Sequence, residues 1–360
     1  MPYASYTAPR AAAPLIRVRK LTVTYAAGEQ PAAALREIDF DIARAEIVGV
    51  LGESGSGKST LALSILGLLP ANATVQGSIL LQKLSRNQNQ PGEHLPDEGL
   101  PDEELQSDDL LRLDERRCRA IRGARISMVF QEPALSLSPV MRVGDQIAEV
   151  LRAHRRGKTS QHKQDVAAIL RRARLLDTDR VFNAYPHQLS GGELHRVAIA
   201  QALACGPNLM IADEPTRSLD VTVQAEIISV LRTVNRECGT ALVFITHNPA
   251  LLAGFADRVI VIYAGRIVEE GPVSQVFGRP LHPYTRGLLQ LTPRASEYAS
   301  VNSKRRLPVI PGQLGNSDRL TSGCAFEPRC PARTLACRQD SPGAVTPEHG
   351  RRVSCFNYDN

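Results

Sequence analysis

The chain has 360 residues, enough for two domains or for one large domain with an appendage. Its hydrophobic content of 43% is that of an ordinary globular protein and excludes a disordered, collagen-like or coiled-coil chain. We find no signal peptide at the start and no apolar run near the ~18 residues that cross a bilayer, so we expect a cytoplasmic protein.

The net charge of +6 is unevenly distributed along the chain. Residues 93–115 carry ten acidic side chains and one basic one, which leaves the remainder strongly basic. A basic body could face nucleic acid, an anionic membrane surface or simply solvent. With 4% aromatic residues and no Trp, the chain offers little for stacking on bases.

The first half of the chain has the pattern of an α/β protein. Residues 1–14 are rich in Ala and Pro, and we predict a flexible tail there. Short β-like runs follow (IRVRKLTVTY, EIDFDI and EIVGVLG), and the last leads through glycines into an apolar helical stretch at 60–69. The segment at about 84–109 is polar, acidic and interrupted by Pro and Gly, so we predict a loosely ordered surface insertion.

The second half returns to the same α/β body and then changes character. Helical periodicity predicts a helical subdomain at about 136–204, including VGDQIAEVLRAH and DVAAILRRARLL. The strand-like runs NLMIAD and ALVFIT follow, so the body spans 15–275. Residues 276–360 are proline-rich and contain four cysteines, and we predict a separate, loop-rich C-terminal domain.

A phosphate-binding loop is predicted at 52–59, where GESGSGKS fits G-x-x-x-x-G-K-[ST] between a strand and a helix. Glycines allow backbone N–H groups to turn toward a phosphate, and the helix adds its positive end. Lys58 should reach the β- and γ-phosphates, and the Ser59 hydroxyl should ligate Mg²⁺. The predicted ATP-binding residues here are Gly52, Ser54, Gly55, Ser56, Gly57, Lys58, Ser59 and Thr60.

Two acids end the strand-like run NLMIAD, and such acids point into the ligand crevice of an α/β fold. Asp213 is predicted to hold Mg²⁺, and Glu214 to act as the general base that polarises the attacking water.

The order of phosphate loop, LSGGE at 189–193 and an acid-terminated strand resembles the ATPase subunit of an ABC (ATP-binding cassette) transporter. The resemblance implies a P-loop NTPase with a RecA-like core, an antiparallel β subdomain and a helical subdomain. It implies a second anion site, which grips the ATP of a partner cassette. The signature residues of that site are Ser190, Gly191, Gly192 and Glu193.

Further roles are implied residue by residue. Tyr25 resembles the aromatic that stacks on adenine, and Gln131 the residue that touches Mg²⁺ and water and reports to the membrane subunits. His247 resembles the switch histidine that contacts the γ-phosphate and orients Glu214, and Asp220 the acid that communicates across the dimer. Arg217 departs from the family pattern, because a small Thr is usual there.

Phrases such as YPHQLSGG, LHPYTRGLL and GCAFEPRCP are similar to ATPases of dipeptide and oligopeptide importers. The resemblance implies ATP hydrolysis that drives uptake of peptides or a related solute, at the cytoplasmic face of the inner membrane. It implies a second, usually non-identical cassette, two membrane permease subunits and, indirectly, an extracytoplasmic solute-binding protein, with no nucleic acid. The alternatives are a soluble ABC ATPase acting on nucleic acid or ribosomes, and a regulatory cassette that binds ATP without turnover.

Four cysteines, at C-x5-C-x6-C-x17-C spacing, are Cys324, Cys330, Cys337 and Cys355. Four thiolates suit either a [4Fe–4S] cluster or tetrahedral Zn²⁺. The resemblance at GCAFEPRCP favours iron–sulfur, whereas His349 could complete a Cys₃His zinc site. Buried or disulfide-bonded cysteines without a metal are the third alternative.

Overall fold

The computed structural model describes residues 13–26, 31–82, 107–154, 159–291, 309–313 and 322–359. The strands in these ranges are β1 (Ile16–Tyr25), β2 (Ala32–Ile42), β3 (Ile47–Leu51), β4 (Ala73–Gln82), β5 (Ser107–Asp109), β6 (Ile126–Val129), β7 (Leu209–Asp213), β8 (Ala241–Thr246), β9 (Arg258–Tyr263), β10 (Arg266–Pro272), β11 (Val345–Glu348) and β12 (Arg351–Val353).

The α-helices of the same ranges alternate with the strands and cluster in the middle of the chain. They are α1 (Lys58–Leu66), α2 (Glu115–Ile121), α3 (Pro133–Ser136), α4 (Val143–His154), α5 (Thr159–Arg172), α6 (Thr178–Asn183), α7 (Gly191–Leu203), α8 (Val221–Cys238), α9 (Val273–Gly278), α10 (Pro283–Gln290) and α11 (Leu335–Gln339). None of these described helices combines the length and apolar composition that a membrane span requires.

Two sheets carry the fold. The larger has the order β11-β12-β10-β9-β3-β8-β7-β6, and the smaller, antiparallel sheet has the order β2-β1-β4-β5. Strands β9, β3, β8, β7 and β6 run parallel, so their carboxyl ends lie at one edge. The loops after β3, β6, β7 and β8 meet at that edge, which is where ligands bind in such sheets.

The larger sheet is buried on both faces, as its apolar strands require. Strand β3 shows the alternation: Ile47 and Leu51 pack into a core shared with α7 and α8, whereas Val48 and Val50 pack toward α1 and the antiparallel sheet. A third core, among α4 to α7, belongs to the helical region. The helix predicted from VGDQIAEVLRAH is confirmed as α4.

Several predicted boundaries change. Helix α1 begins at Lys58, but it ends at Leu66, before the end of the apolar stretch at 60–69, because Gly67 adopts a left-handed conformation with φ of 62°. Most of the predicted insertion, 83–106, lies outside the described residues, as does the predicted tail at 1–12. The last three insertion residues were predicted wrongly, since 107–109 form β5 and pair with β4.

The C-terminal segment is joined to the body rather than separate from it, because β12 pairs with β10 and extends the larger sheet. Arg351 on β12 forms an ion pair of 2.8 Å with Glu269 on β10, and their side chains are 1% and 0% exposed. The Glu269 carboxylate also accepts the backbone N–H groups of Leu281 and His282. Buried charge is tolerated here because it is paired and hydrogen-bonded on both sides.

Candidate active site

The phosphate loop connects β3 to α1 in a conformation that depends on glycine. Gly57, immediately before α1, has a φ of 112°, and a Cβ there would lie 2.7 Å from the Ala34 carbonyl oxygen. A Cβ on Gly52 would lie 2.4 Å from the Ile262 carbonyl oxygen. Both positions therefore need glycine to bring the backbone N–H groups around a phosphate.

Lys58 lies in the cradle of the loop and is held by the loop itself. Its Nζ donates hydrogen bonds of 2.8 Å to the carbonyl oxygens of Gly52 and Glu53. Burial lowers the pKa of Lys58, and the nearby carboxylates of Glu214, Asp213 and Glu53 oppose that shift. The ammonium is thus ordered at the position predicted for a phosphate ligand.

Asp213 and Ser59 bring two oxygen donors together, as the sequence predicted for Mg²⁺. Asp213 ends β7 and is buried, which raises its pKa; a hydrogen bond from the Ser59 side chain opposes the rise. Hydroxyl and carboxylate oxygens are ligands that Mg²⁺ accepts, so the donor set fits this ion.

Glu214 and His247 are also in contact, as predicted. The backbone of Glu214 has a φ of 45°, uncommon for a residue with a side chain, and its N–H donates to the Ile245 carbonyl. His247 follows β8, and its Nδ1 lies 3.0 Å from Glu214 Oε1. The Arg217 guanidinium lies 3.5 Å from Glu214 Oε2. The predicted base is therefore oriented by one neighbour on each oxygen.

A cavity of about 310 Å³ opens in front of this carboxylate. It is the space in which a water and the terminal phosphate could approach Glu214. Its lining residues are Ser54, Glu214, Thr216, Arg217, Ser218, Gln224, Thr246, His247, Asn248 and Leu251.

The signature residues start helix α7 and do not line that cavity. Ser190 caps the helix: its Oγ accepts the Glu193 N–H, and the Glu193 carboxylate accepts the Ser190 N–H at 2.9 Å. Glu193 also pairs with Arg180. Gly191 is open to solvent, since a Cβ there would meet nothing within 4 Å. The start of α7 is thus exposed at Gly191, and the N-terminus of a helix is a position where an anion can bind.

Three further predicted residues lie at the margins of the site. Tyr25 ends β1, and its hydroxyl lies 3.4 Å from the Thr60 hydroxyl on α1. Gln131 lies two residues beyond the end of β6 and is half-buried. Asp220 caps helix α8, accepting the N–H groups of Thr222 and Val223 at 3.0 Å. A local structural role therefore accompanies the role across the dimer that the sequence predicted for Asp220.

The four clustered cysteines line one small cavity, with His282 and Phe326 beside them. Burial raises the pKa of Cys324 to about 11 and also raises those of Cys330 and Cys355. All four are free thiols, which leaves the disulfide alternative without support. His349 is exposed and does not line the cavity. Within the described ranges, no three His, Cys, Asp or Glu side chains have an arrangement ready to hold a metal ion.

Comparison with known proteins decides the family. The profile of the ABC transporter family matches residues 35–217, the part that holds the phosphate loop, the signature and Glu214. The chain belongs to the ABC transporter family. This ABC cassette is therefore an ATPase, with ATP and Mg²⁺ as its expected ligands. A second profile, of the oligopeptide/dipeptide transporter C-terminal region, matches residues 268–337.

Relatives of this ABC cassette span nearly its whole length. The oligopeptide transport ATP-binding protein OppD of Salmonella typhimurium is 38% identical, over 97% of this chain and 95% of its own. The dipeptide transport ATP-binding protein DppD of Escherichia coli is 39% identical, over 95% and 96%. Because the alignments cover at least 95% of each chain, they include the C-terminal segment.

Solved cassettes share the fold of the ATPase body. The dimeric structure of MJ0796, a bacterial ABC transporter cassette, aligns with a TM-score of 0.57 and 29% identity, covering 72% of this chain and 98% of that one. A dimeric post-hydrolysis state of MJ0796 bound to ADP and Pi aligns with a TM-score of 0.58. The ABC fold predicted from the sequence is confirmed.

The sequence did not predict two contacts of Glu53. Its backbone N–H donates to the Tyr284 hydroxyl, and its carboxylate accepts from the Arg329 guanidinium. No local signal could have found them, because 276 positions separate Glu53 from Arg329.

Proposed function

We propose that this ABC cassette hydrolyses ATP to drive import of peptides through a membrane transporter. The match of residues 268–337 to the oligopeptide/dipeptide transporter C-terminal region carries the proposal, because it lies beyond the ABC transporter family match at 35–217. The names of the full-length relatives OppD and DppD support it.

Each step of hydrolysis has a residue in place. The phosphate loop N–H groups and Lys58 would hold the phosphates, and Ser59 and Asp213, with Gln131, would hold Mg²⁺, which neutralises charge on the phosphates when bound. Glu214 would accept a proton from the attacking water while His247 fixes its carboxylate. The exposed start of α7 would bind the ATP of a second cassette, so each complete site needs two subunits.

The partners follow from the same proposal. A second, non-identical cassette and two permease subunits would assemble with this chain at the cytoplasmic face of the inner membrane. An extracytoplasmic solute-binding protein would supply the peptide. We assign the permease contact to the helical region and its surroundings, where Phe130, Val140 and Leu176 are 40%, 81% and 83% exposed.

No observation favours either of the two alternative functions. A soluble ATPase acting on nucleic acid or ribosomes rests on net charge alone. A regulatory cassette without turnover would have no use for the oriented Glu214–His247 pair.

The test is phosphate release by the assembled transporter in proteoliposomes, with and without peptide. Di- and oligopeptides should stimulate hydrolysis, whereas nickel and sugars should not. Glu214→Gln should lower turnover by roughly 10²-fold or more and leave ATP binding intact. Glu237→Gln, on an exposed part of α8, is the matched control. Unchanged turnover in the Glu214 variant would remove this residue as the base.

We also propose that the four-cysteine cavity holds a metal group, with a [4Fe–4S] cluster as the first candidate and Zn²⁺ as the second. The support is that all four thiols line one cavity, and four thiolates are the donor set that either group takes. A bound cation would favour the thiolates that burial alone disfavours. Its contribution would be structural, tying together a segment with a small core.

Anaerobic purification followed by iron, sulfide and zinc analysis tests this second proposal. Cys337→Ser should lose the metal, and Cys238→Ser, an exposed cysteine outside the cluster, should retain it. Zinc near one per chain without iron would identify the metal as Zn²⁺ and exclude the [4Fe–4S] cluster. Absence of metal from both the wild type and the Cys238→Ser variant would overturn the proposal.

A further inference from the structure

The phosphate loop is held from outside by the cysteine module, which we define as residues 322–359. Arg329, directly before Cys330, forms two parallel hydrogen bonds with the Glu53 carboxylate, of 2.8 and 3.0 Å. The arginine side chain is 7% exposed. Glu53 is the second residue of the phosphate-loop motif, so the module reaches into the ATP site from the far end of the chain.

The guanidinium is fixed on all its other sides. Nε donates to the Pro311 carbonyl at 2.7 Å, and the Glu53-bound end also approaches the Gly312 carbonyl at 3.3 Å. The Tyr263 ring lies beneath it, 5.7 Å from ring centre to guanidinium carbon. A planar fork with five donors is needed for such a set, and lysine could not reproduce it.

The backbone of Glu53 contacts residues in and next to the phosphate loop, whereas its carboxylate contacts Arg329 of the cysteine module. Its N–H donates to the Tyr284 hydroxyl at 2.8 Å. Its carbonyl accepts the Lys58 ammonium at 2.8 Å and the Ser56 N–H at 3.1 Å. The side chain and the backbone of one residue thus connect the arginine to the carbonyl that orders Lys58.

We propose that Arg329 is a positioning residue for the phosphate loop, pre-organising it for nucleotide by fixing Glu53. A loop that is already ordered does not lose conformational freedom when the phosphates bind, so binding is tighter. The inference concerns nucleotide binding alone and does not depend on peptide import or on a metal in the cysteine cavity.

The experiment has two measurements. The Kd for MgADP, which the ATPase does not hydrolyse, is measured by calorimetric titration of the full chain, and the KM and kcat for ATP are measured on the assembled transporter. Arg329→Gln should raise the Kd for MgADP about tenfold and the KM for ATP in parallel. The kcat should stay within about twofold, because Glu214 and His247 are not touched. A fall in kcat with unchanged KM would overturn the proposal.

Glu53→Ala removes both acceptor oxygens of the same contact without altering the cysteine module, so it answers the question even if the arginine variant folds poorly. It should raise the Kd equally, and the double variant should bind no more weakly than either single one. Additive losses, or Kd values near wild type for Glu53→Ala, would overturn the proposal.

Arg338→Gln is the matched control. Arg338 pairs with Glu327 in the same module at 3.0 Å but does not reach the phosphate loop. Its Kd for MgADP should match the wild type, and a tenfold rise here would show that any damage to the module weakens binding, which contradicts a specific role for Arg329.

Discussion

The carboxylate of Glu214 has a different neighbour on each oxygen: His247 on Oε1 and Arg217 on Oε2. In the proposed mechanism, the histidine contact orients Glu214 toward the attacking water. The arginine contact would oppose that step, because a cation close to a carboxylate oxygen competes with the water for that oxygen.

Arg217→Thr should therefore raise the turnover of the assembled transporter. The arginine side chain is 52% exposed, and an ion pair of that exposure is worth up to ~1 kcal/mol. Complete transfer of that energy to the transition state would raise kcat by up to about fivefold. Steady-state phosphate release at saturating ATP measures the change.

Arg217→Lys is the control for charge, and it should behave like the wild type because an ammonium can replace this single contact. A fall in turnover for the threonine variant would mean that Arg217 assists hydrolysis, for example by contacting the phosphate.

The hairpin of β4 and β5 encloses the acidic segment between two paired residues. Gln82 and Ser107 are register partners in the antiparallel sheet, so the chain leaves and returns at adjacent positions. A two-residue turn can bridge such a pair. The proposed catalytic residues Glu214 and His247 lie in the loops that follow parallel strands β7 and β8 of the larger sheet.

Replacing residues 83–106 by Asn-Gly should leave the KM for ATP and turnover within about twofold of wild type, because the type I′ turn keeps the register of β4 and β5. Thermal unfolding followed by circular dichroism, together with phosphate release, checks both expectations.

A longer deletion, of 83–109, is the control. It removes Asp109, whose carboxylate accepts the backbone N–H groups of Ile79 and Leu111, and it should lower the melting temperature. Loss of turnover with the shorter replacement would assign the acidic segment a part in the ATPase cycle.

At the scale of the whole molecule, the sequence predicts what is local and misses what is distant. The phosphate loop, the acids after β7 and the capped start of α7 are each encoded by neighbouring residues, so local motifs, taken together in chain order with the family resemblance, predicted them. The strand β12 and the Arg329–Glu53 contact join residues far apart, and no spacing rule connects such positions. The sequence therefore predicted a separate C-terminal domain. Its many prolines and cysteines indicate loops, and the three residues of β12 that extend the sheet are too few to give a strand pattern of their own.

The Glu269–Arg351 pair makes the stability of the ATPase body depend on the C-terminal segment. The carboxylate lies on β10, inside the larger sheet, and its cation lies on β12 of the C-terminal segment. Loss of the cation alone would leave a buried charge without its partner, at a cost of ~3–5 kcal/mol. Because total stability is about 5–15 kcal/mol, that loss would raise the unfolded fraction by more than about a hundredfold and expose it to cellular proteases. A change in a segment that holds no predicted ATP ligand would thus lower the amount of cassette in the cell.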